Sequence, residues 1–213
     1  MIDKFIKTGS LKIAIFVYTF LIILCWGING LMGFCFGTYL EKTGKMPNIT
    51  YTKEELQLDG VKPNDFFENG LISTDSDPKI IINFDREIYV SNAQMDIEYS
   101  MLPGEIVSYY SKGERGFSER RRVMGQFLNG AQATFEYGII KCDALRIDPT
   151  MFGGNAMNLS KITINTHRTF GDYFKIYFSD LFRFSILSTM AVSFILIIKQ
   201  ACETRYNKKS LKR

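Results

Sequence analysis

Histidine is almost missing from this chain: His167 is the only one among 213 residues. Histidine-built metal clusters are thereby excluded, and a Cys/His nucleophilic pairing has no support. Cysteine is scarce too, at four residues. Cys25 and Cys35 fall in an apolar run and Cys202 in a basic tail, so Cys142 stands alone in the middle and no disulfide framework can form there. Bulky Leu24 and Phe34 precede the first two, where a lipid-attachment signal needs a small residue. Proline numbers five, and none follows Pro149.

Charge is the next absence. No charged residue occurs from Ile13 to Leu40, nor from Phe184 to Ile198. A spanning helix needs roughly 20 mainly apolar residues. The first run exceeds that, is too long for the apolar part of a signal peptide, and lacks a small-x-small cleavage site. The second reaches the length by taking in Leu181, Phe182 and Arg183, with the arginine snorkelling to the headgroups. Transmembrane helices are therefore expected over 13–40 and 181–199.

What charge there is sits mostly at the ends. Residues 1–12 carry Lys4, Lys7 and Lys12 against Asp3, and residues 199–213 carry six basic residues against Glu203. Removing these nine basic and two acidic residues from the totals of 26 and 22 leaves 17 against 20. The middle is mildly acidic although the whole chain is +4. By the positive-inside rule both tails, 1–12 and 200–213, are expected in the cytoplasm and the middle outside. The basicity reads as topology and gives no case for nucleic acid. An exported domain without disulfides fits a bacterial cell membrane.

Residues 41–77 read as a polar connector, with capping-box spacing from Thr52 to Glu55 predicting a short helix near 53–58. From Pro78 the pattern changes to short alternating runs: 79–84, 94–101, 105–111, 121–128, 133–140, 144–148 and 159–166. Most are bounded by Gly, Pro, Asn or Asp, and no amphipathic helix separates them. An all-β domain over 78–167, an antiparallel sandwich between the two helices, is the expected architecture. Residues 168–180 mix Phe170, Tyr173, Phe174, Tyr177 and Phe178 with charges and read as an interfacial aromatic segment.

Several motifs carry sharper readings beside plain ones. Gly27, Gly30, Gly33 and Gly37 lie within a stripe of about 120° at helical spacing, a face on which another helix can pack closely. The occupant would be the second helix, a membrane protein partner or a second copy. Tyr109 and Tyr110 point to opposite sides of a strand, one to the core and one free to meet a sugar ring. "GERGFSERRRV" (113–123) places Arg115, Phe117 and Arg120 in a loop with Glu114 and Glu119 among them: a solvated hairpin, or a contact for anionic lipid or polymer. Asp75-Ser76-Asp77-Pro78 is an Asx-type turn launching a strand, with a structural calcium as the alternative. Carboxylates such as Asp96 and Glu98 are plentiful, but a glycosidase needs two at a set separation, which a sequence does not show.

"GLISTDSDPKIII" (70–82), "IVSYYS…GFSERRRV" and "ALRIDPTMFGG…LSKITI" resemble, in order and spacing, a jelly-roll-like sandwich domain. That domain occurs in bacterial membrane proteins of cell-surface polysaccharide assembly and in some membrane glycosyltransferases. The resemblance covers about residues 70–167. It implies that Asp77-Pro78 leads the first strand and that Arg146, Asp148 and Pro149 form an architectural strand end. It carries over no transferase activity, because a cytosolic catalytic domain is missing. The expected function is a non-catalytic, membrane-anchored accessory of envelope glycan assembly, export or decoration, which binds glycan or scaffolds a membrane partner and needs no cofactor. The alternatives are a chain-length regulator of polysaccharide polymerisation and, behind it, an exported glycan hydrolase. The regulators have long external helices and a proline-rich segment at the second span, neither of which is visible here.

Overall fold

The computed structural model describes the backbone of residues 10–67, 70–113, 116–128, 130–175 and 178–210. The chain divides into two compact units, one holding residues up to Cys35 and from Arg168 onward, the other Phe36–His167.

The first unit is helical. Helix α1 spans Ser10–Lys42, its last turns belonging to the second unit, and α2 spans Phe178–Ser210. Both are long and apolar enough to cross a membrane, over Ile15–Lys42 and Asp180–Ile198. Their apolar side chains have little protein over them: Phe16 is 72% exposed and Met190 65%. Such surface is stable only against lipid or another apolar partner. The expected aromatic segment folds into a 3-10 turn, Phe170–Phe174, and it sits on α1. Trp26 Nε1 donates to the Phe174 carbonyl at 3.1 Å, and Phe34 meets Phe170 and Tyr173 edge to face.

The second unit is an antiparallel β-sandwich. Its strands are β1 (Ile49–Thr52), β2 (Gln57–Asp59), β3 (Val61–Asn64), β4 (Gly70–Ser73), β5 (Lys79–Tyr99), β6 (Val107–Ser111), β7 (Arg122–Phe127), β8 (Gln132–Asp148) and β9 (Ala156–Ile164). Two long strands organise it. The first half of β5 pairs with the last part of β8, Ile80 opposite Ile147, and the second half of β5 pairs with the start of β8, Met95 opposite Ala133. A register shift between Asn83 and Ile88 lets the pair bend from one sheet into the other. One layer is β2–β5–β8–β6–β7; the other is β1–β9–β5–β8–β7, extended by the β3–β4 hairpin on β9.

Period-2 patterning fills the space between the layers. Ile80, Ile82, Leu145 and Ile147 come from one sheet, and Ala93, Met95, Phe135, Ile162 and Ile164 from the other, all nearly inaccessible. A polar contact bridges the layers: the Ser108 and Tyr137 hydroxyls lie 2.6 Å apart, and Ser108 also donates to the Arg146 carbonyl. Burial raises the Tyr137 pKa.

The structure differs from the expected organisation in two places. Residues 41–77 are part of the sandwich, supplying β1 to β4, and the helix near 53–58 is a single 3-10 turn, Lys53–Glu55. Thr52 does make the local bond to Glu55, at 2.7 Å from its backbone nitrogen. Three- and four-residue strands are too short to show alternation, and Pro63 disguises β3, which tolerates it as an edge strand. Secondly, runs 79–84 and 94–101 belong to one strand, as do 133–140 and 144–148. The intervening Asp85-Arg86-Glu87 is polar because it lies on the outside of the bend.

Candidate functional site

The four glycines of α1 have different neighbours. A Cβ on Gly30 would fall 2.5 Å from the Phe174 ring, and one on Gly33 would be 3.4 Å from Tyr173. These two positions receive aromatic rings of the 170–174 turn, not a helix. A Cβ on Gly27 would meet nothing within 4 Å. Gly37 is buried, in the turns of α1 that belong to the sandwich unit.

On the outer face of the β2–β5–β8–β6–β7 layer, register aligns Gln57, Ile81, Arg146, Tyr109 and Arg122 in one row. Arg146 donates from Nε to Asp148 Oδ1 at 2.7 Å and from a terminal nitrogen to Asp77 Oδ1 at 2.6 Å. Its guanidinium lies 5.1 Å from the centre of the Tyr109 ring. Tyr109 is therefore buried though it points outward, and its hydroxyl donates to Glu119 Oε1 at 3.1 Å. Burial, with Glu119 beside it, raises its pKa. Tyr110 points inward and packs against the core, with Lys112 5.6 Å from its ring. Neither tyrosine offers an open ring face. Phe117 is half-buried, Arg120 is exposed, and Arg115 lies outside the described residues.

The strand end at 146–154 and the 75–78 turn form one polar assembly. Asp75 accepts the backbone N–H of Asp77 at 2.8 Å, which is the Asx turn, while Asp77 binds Lys79 at 2.9 Å as well as Arg146. Both carboxylates have protein partners, and no cluster of three or more metal-ligating side chains exists among the described residues. Burial raises the Asp148 pKa, opposed by Arg146. Pro149 ends the strand and its carbonyl accepts the Tyr99 hydroxyl at 2.6 Å. Buried Asn155 bonds Met101 and Thr150, and Gly154, at φ +80°, completes the reversal.

The opposite layer has another character. Thr50, Thr163, Gln94, Thr134 and Gln126 lie in register across all five strands, β1–β9–β5–β8–β7, pointing outward from the core positions beside them. The row carries no charge, and every member both donates and accepts hydrogen bonds. In the next row Asp96 stands between Lys161 and Gln132. Asp96 Oδ1 accepts from Gln132 at 2.9 Å and Gln94 at 3.3 Å, and Lys161 lies 3.4 Å from Oδ2. Desolvation opposes its ionisation, yet the two amides and Lys161 prevail and hold its pKa below the ordinary carboxylate value.

A bulge in β9 opens this face. Asp96 pairs with Lys161 but Ile97 with Leu159, which leaves Ser160 as the extra residue. Beside it is a depression of about 330 Å³ lined by Asp96, Glu98, Gln132 and Ser160 with Ile97 and Ala131. Two carboxylates and the Gln132 carbonyl can accept hydrogen bonds there, and the Gln132 amide and the Ser160 hydroxyl can donate them. Gln94, Gln132, Thr134 and Thr163 were not singled out by sequence. The signal was present as the polar half of each alternating run, but the alignment across five strands requires the register.

No protein-family model matches the chain, and no curated protein matches it. Among solved structures, a xylan-binding module of Roseburia intestinalis is similar at 13% identity and TM-score 0.39, over 55% of this chain and 94% of that one. A family 6 carbohydrate-binding module of Clostridium cellulolyticum in complex with xylose aligns at 10% identity and TM-score 0.40, over 55% and 97%. A third, a family 32 module in complex with 4,5-unsaturated mannuronic acid, aligns at 9% identity and TM-score 0.40, over 56% and 99%. Similarity at this level carries no inference for the present chain, whose fold rests on its own strand pairing.

Proposed function

We propose that this chain is a membrane-anchored, non-catalytic glycan-binding protein that serves envelope glycan assembly, export or decoration. Its two apolar helices anchor the sandwich, outside the cytoplasm by the charge of the tails. The β1–β9–β5–β8–β7 face is the glycan contact. The observation that carries the reading is the in-register row Thr50–Thr163–Gln94–Thr134–Gln126, contiguous with the Asp96–Gln132–Ser160 depression. An uncharged row of paired donors and acceptors matches a chain of sugar hydroxyls, and with no open aromatic platform beside it among the described residues the contact is weak per sugar.

The other polar face argues for itself as architecture, because Arg146, Lys79, Asp77 and Asp148 bind one another. Asp96 is unsuited to the general-acid half of a glycosidase's carboxylate pair, though not to its nucleophile half. A general acid must carry a proton near neutral pH, and this carboxylate is held ionised by its neighbours. The chain-length-regulator reading is disfavoured by the domain between the helices, which contains no α-helix beyond the last turns of α1 among the described residues.

The test has two arms on the full-length protein. Alkaline carbonate extraction of membranes should leave the protein in the pellet. A glycan array probed with the detergent-solubilised protein should show retention of polymeric glycans, abolished by Gln94→Ala with Gln132→Ala. Extraction into the supernatant would refute the anchor, and retention indifferent to the two substitutions would refute the face.

A further inference from the structure

A second cavity, of about 480 Å³, lies at the end of the sandwich where α1 runs into the β domain. It is lined by Thr43, Gly44 and Lys45, which directly follow the helix, and by Arg86, Glu87, Tyr89 and Lys141 on the outside of the β5–β8 bend. Nothing in the glycan-contact face involves these residues.

Three cations and one anion surround the cavity. Lys141 is engaged with Glu87. Arg86 is exposed and has no ion pair or hydrogen bond among the described residues. Lys45 bends back along the helix, its ammonium 5.7 Å from the centre of the half-exposed Tyr39 ring. Three of the last four helix carbonyls are occupied, which weakens the opposition of the helix end to an anion: Tyr39 accepts from Thr43, Leu40 from Lys45 and Met46, and Glu41 from Gly44. The backbone of Tyr89 is likewise tied to the Lys45 carbonyl at 2.9 Å, which fixes the two walls against each other.

The cavity begins directly beyond the last residue of α1. The apolar stretch Ile15–Lys42 has 28 residues, which at 1.5 Å per residue is about 42 Å. A bilayer measures about 40–45 Å with its headgroup layers included. A chain leaving α1 at Lys42 is therefore at the outer limit of the headgroups. Tyr39, carrying Lys45 over its ring, stands at the level where aromatic and basic side chains meet lipid phosphates.

We propose that this cavity binds the phosphate of an anionic membrane lipid headgroup through Arg86 and Lys45, with Lys141 completing the positive field. The inference rests on the membrane-anchor reading and is independent of glycan binding. The phosphate would give Arg86 the partner it lacks among the described residues.

The test uses the full-length protein in nanodiscs of equimolar phosphatidylglycerol and phosphatidylcholine, extracted into mild detergent and weighed by native mass spectrometry. Phosphatidylglycerol should be retained at least tenfold over phosphatidylcholine. Arg86→Gln with Lys45→Gln should abolish the preference, and Arg86→Lys should keep most of it. Both positions are exposed, and an unchanged sandwich melting temperature verifies that the variants are folded. Equal retention of the two lipids, or a preference that survives the double substitution, would overturn the proposal. Displacement of the lipid by equimolar inorganic phosphate would overturn the assignment to a headgroup. Failure to enter nanodiscs of any composition would overturn the anchor, and this proposal with it.

Discussion

Asn165 donates from its carboxamide nitrogen to the carbonyl oxygen of Pro47 at 2.9 Å, joining the strand that leaves the sandwich to the segment that enters it. The same nitrogen reaches the Tyr89 carbonyl at 2.9 Å, and its oxygen accepts the Ser91 backbone N–H at 2.7 Å. Asn165 is buried and holds φ at +57°, a conformation that asparagine tolerates better than most residues.

Asn165→Ala should therefore cost about 3–5 kcal/mol, from stranded buried backbone groups together with left-handed strain. Asn165→Gly should recover the strain and not the bonds, and fall between the two. Thermal unfolding of the sandwich in detergent, followed by far-ultraviolet circular dichroism, checks the order.

Removing Arg146 should destabilise the sandwich by about 2–4 kcal/mol at neutral pH, since Asp148 is left buried without its partner. The pH dependence follows from the raised Asp148 pKa. The folded state holds that proton more tightly than the unfolded one, so stability falls as pH rises between the two values. Arg146→Met takes away the force opposing this shift and steepens the loss. Unfolding at pH 7 and pH 4 should show the gap between wild type and variant narrowing at the lower pH.

Cys142 is fully buried, and burial pushes its thiol up to about 12. A thiol at that value is almost wholly protonated at pH 8 and a poor nucleophile. Peptide mapping after maleimide treatment should find Cys142 unmodified in the native protein and modified once guanidinium has unfolded it.

Gly30→Ala should disturb the helical unit and Gly27→Ala should not, because only the first brings a methyl group into the Phe174 ring. Trp26 is the sole tryptophan and bonds Phe174, so its emission reports the contact directly. A shift is expected for Gly30→Ala alone.

Much of this architecture was readable in the sequence, for reasons that also show where reading stops. The two charge-free runs mark the helices because lipid-length apolar stretches have few other uses. The alternation at Met95, Ile97, Phe135 and Tyr137 marks core strands because period 2 is what a half-buried strand requires. The Arg146–Asp148 pair follows from the same period. Strands β1 to β4 stayed hidden, since three or four residues cannot display a pattern and Pro63 argues against one in β3. The row from Thr50 to Gln126 stayed hidden for a different reason. In chain order its members are 44, 32, 8 and 29 positions apart, and only the pairing register brings them into line. The glycine stripe was legible as a packing face, but what fills it at Gly30 and Gly33 was not, because the aromatic turn folds back from beyond residue 168.

The most direct test of the account is a binding isotherm for the full-length protein, by microscale thermophoresis, against the polymeric glycan best retained on the array. The account predicts saturable binding that weakens at least tenfold with Gln94→Ala and Gln132→Ala together, and that is unchanged by Arg120→Ala on the other side of the sandwich. Binding lost with Arg120→Ala and untouched by the two glutamine substitutions would contradict it.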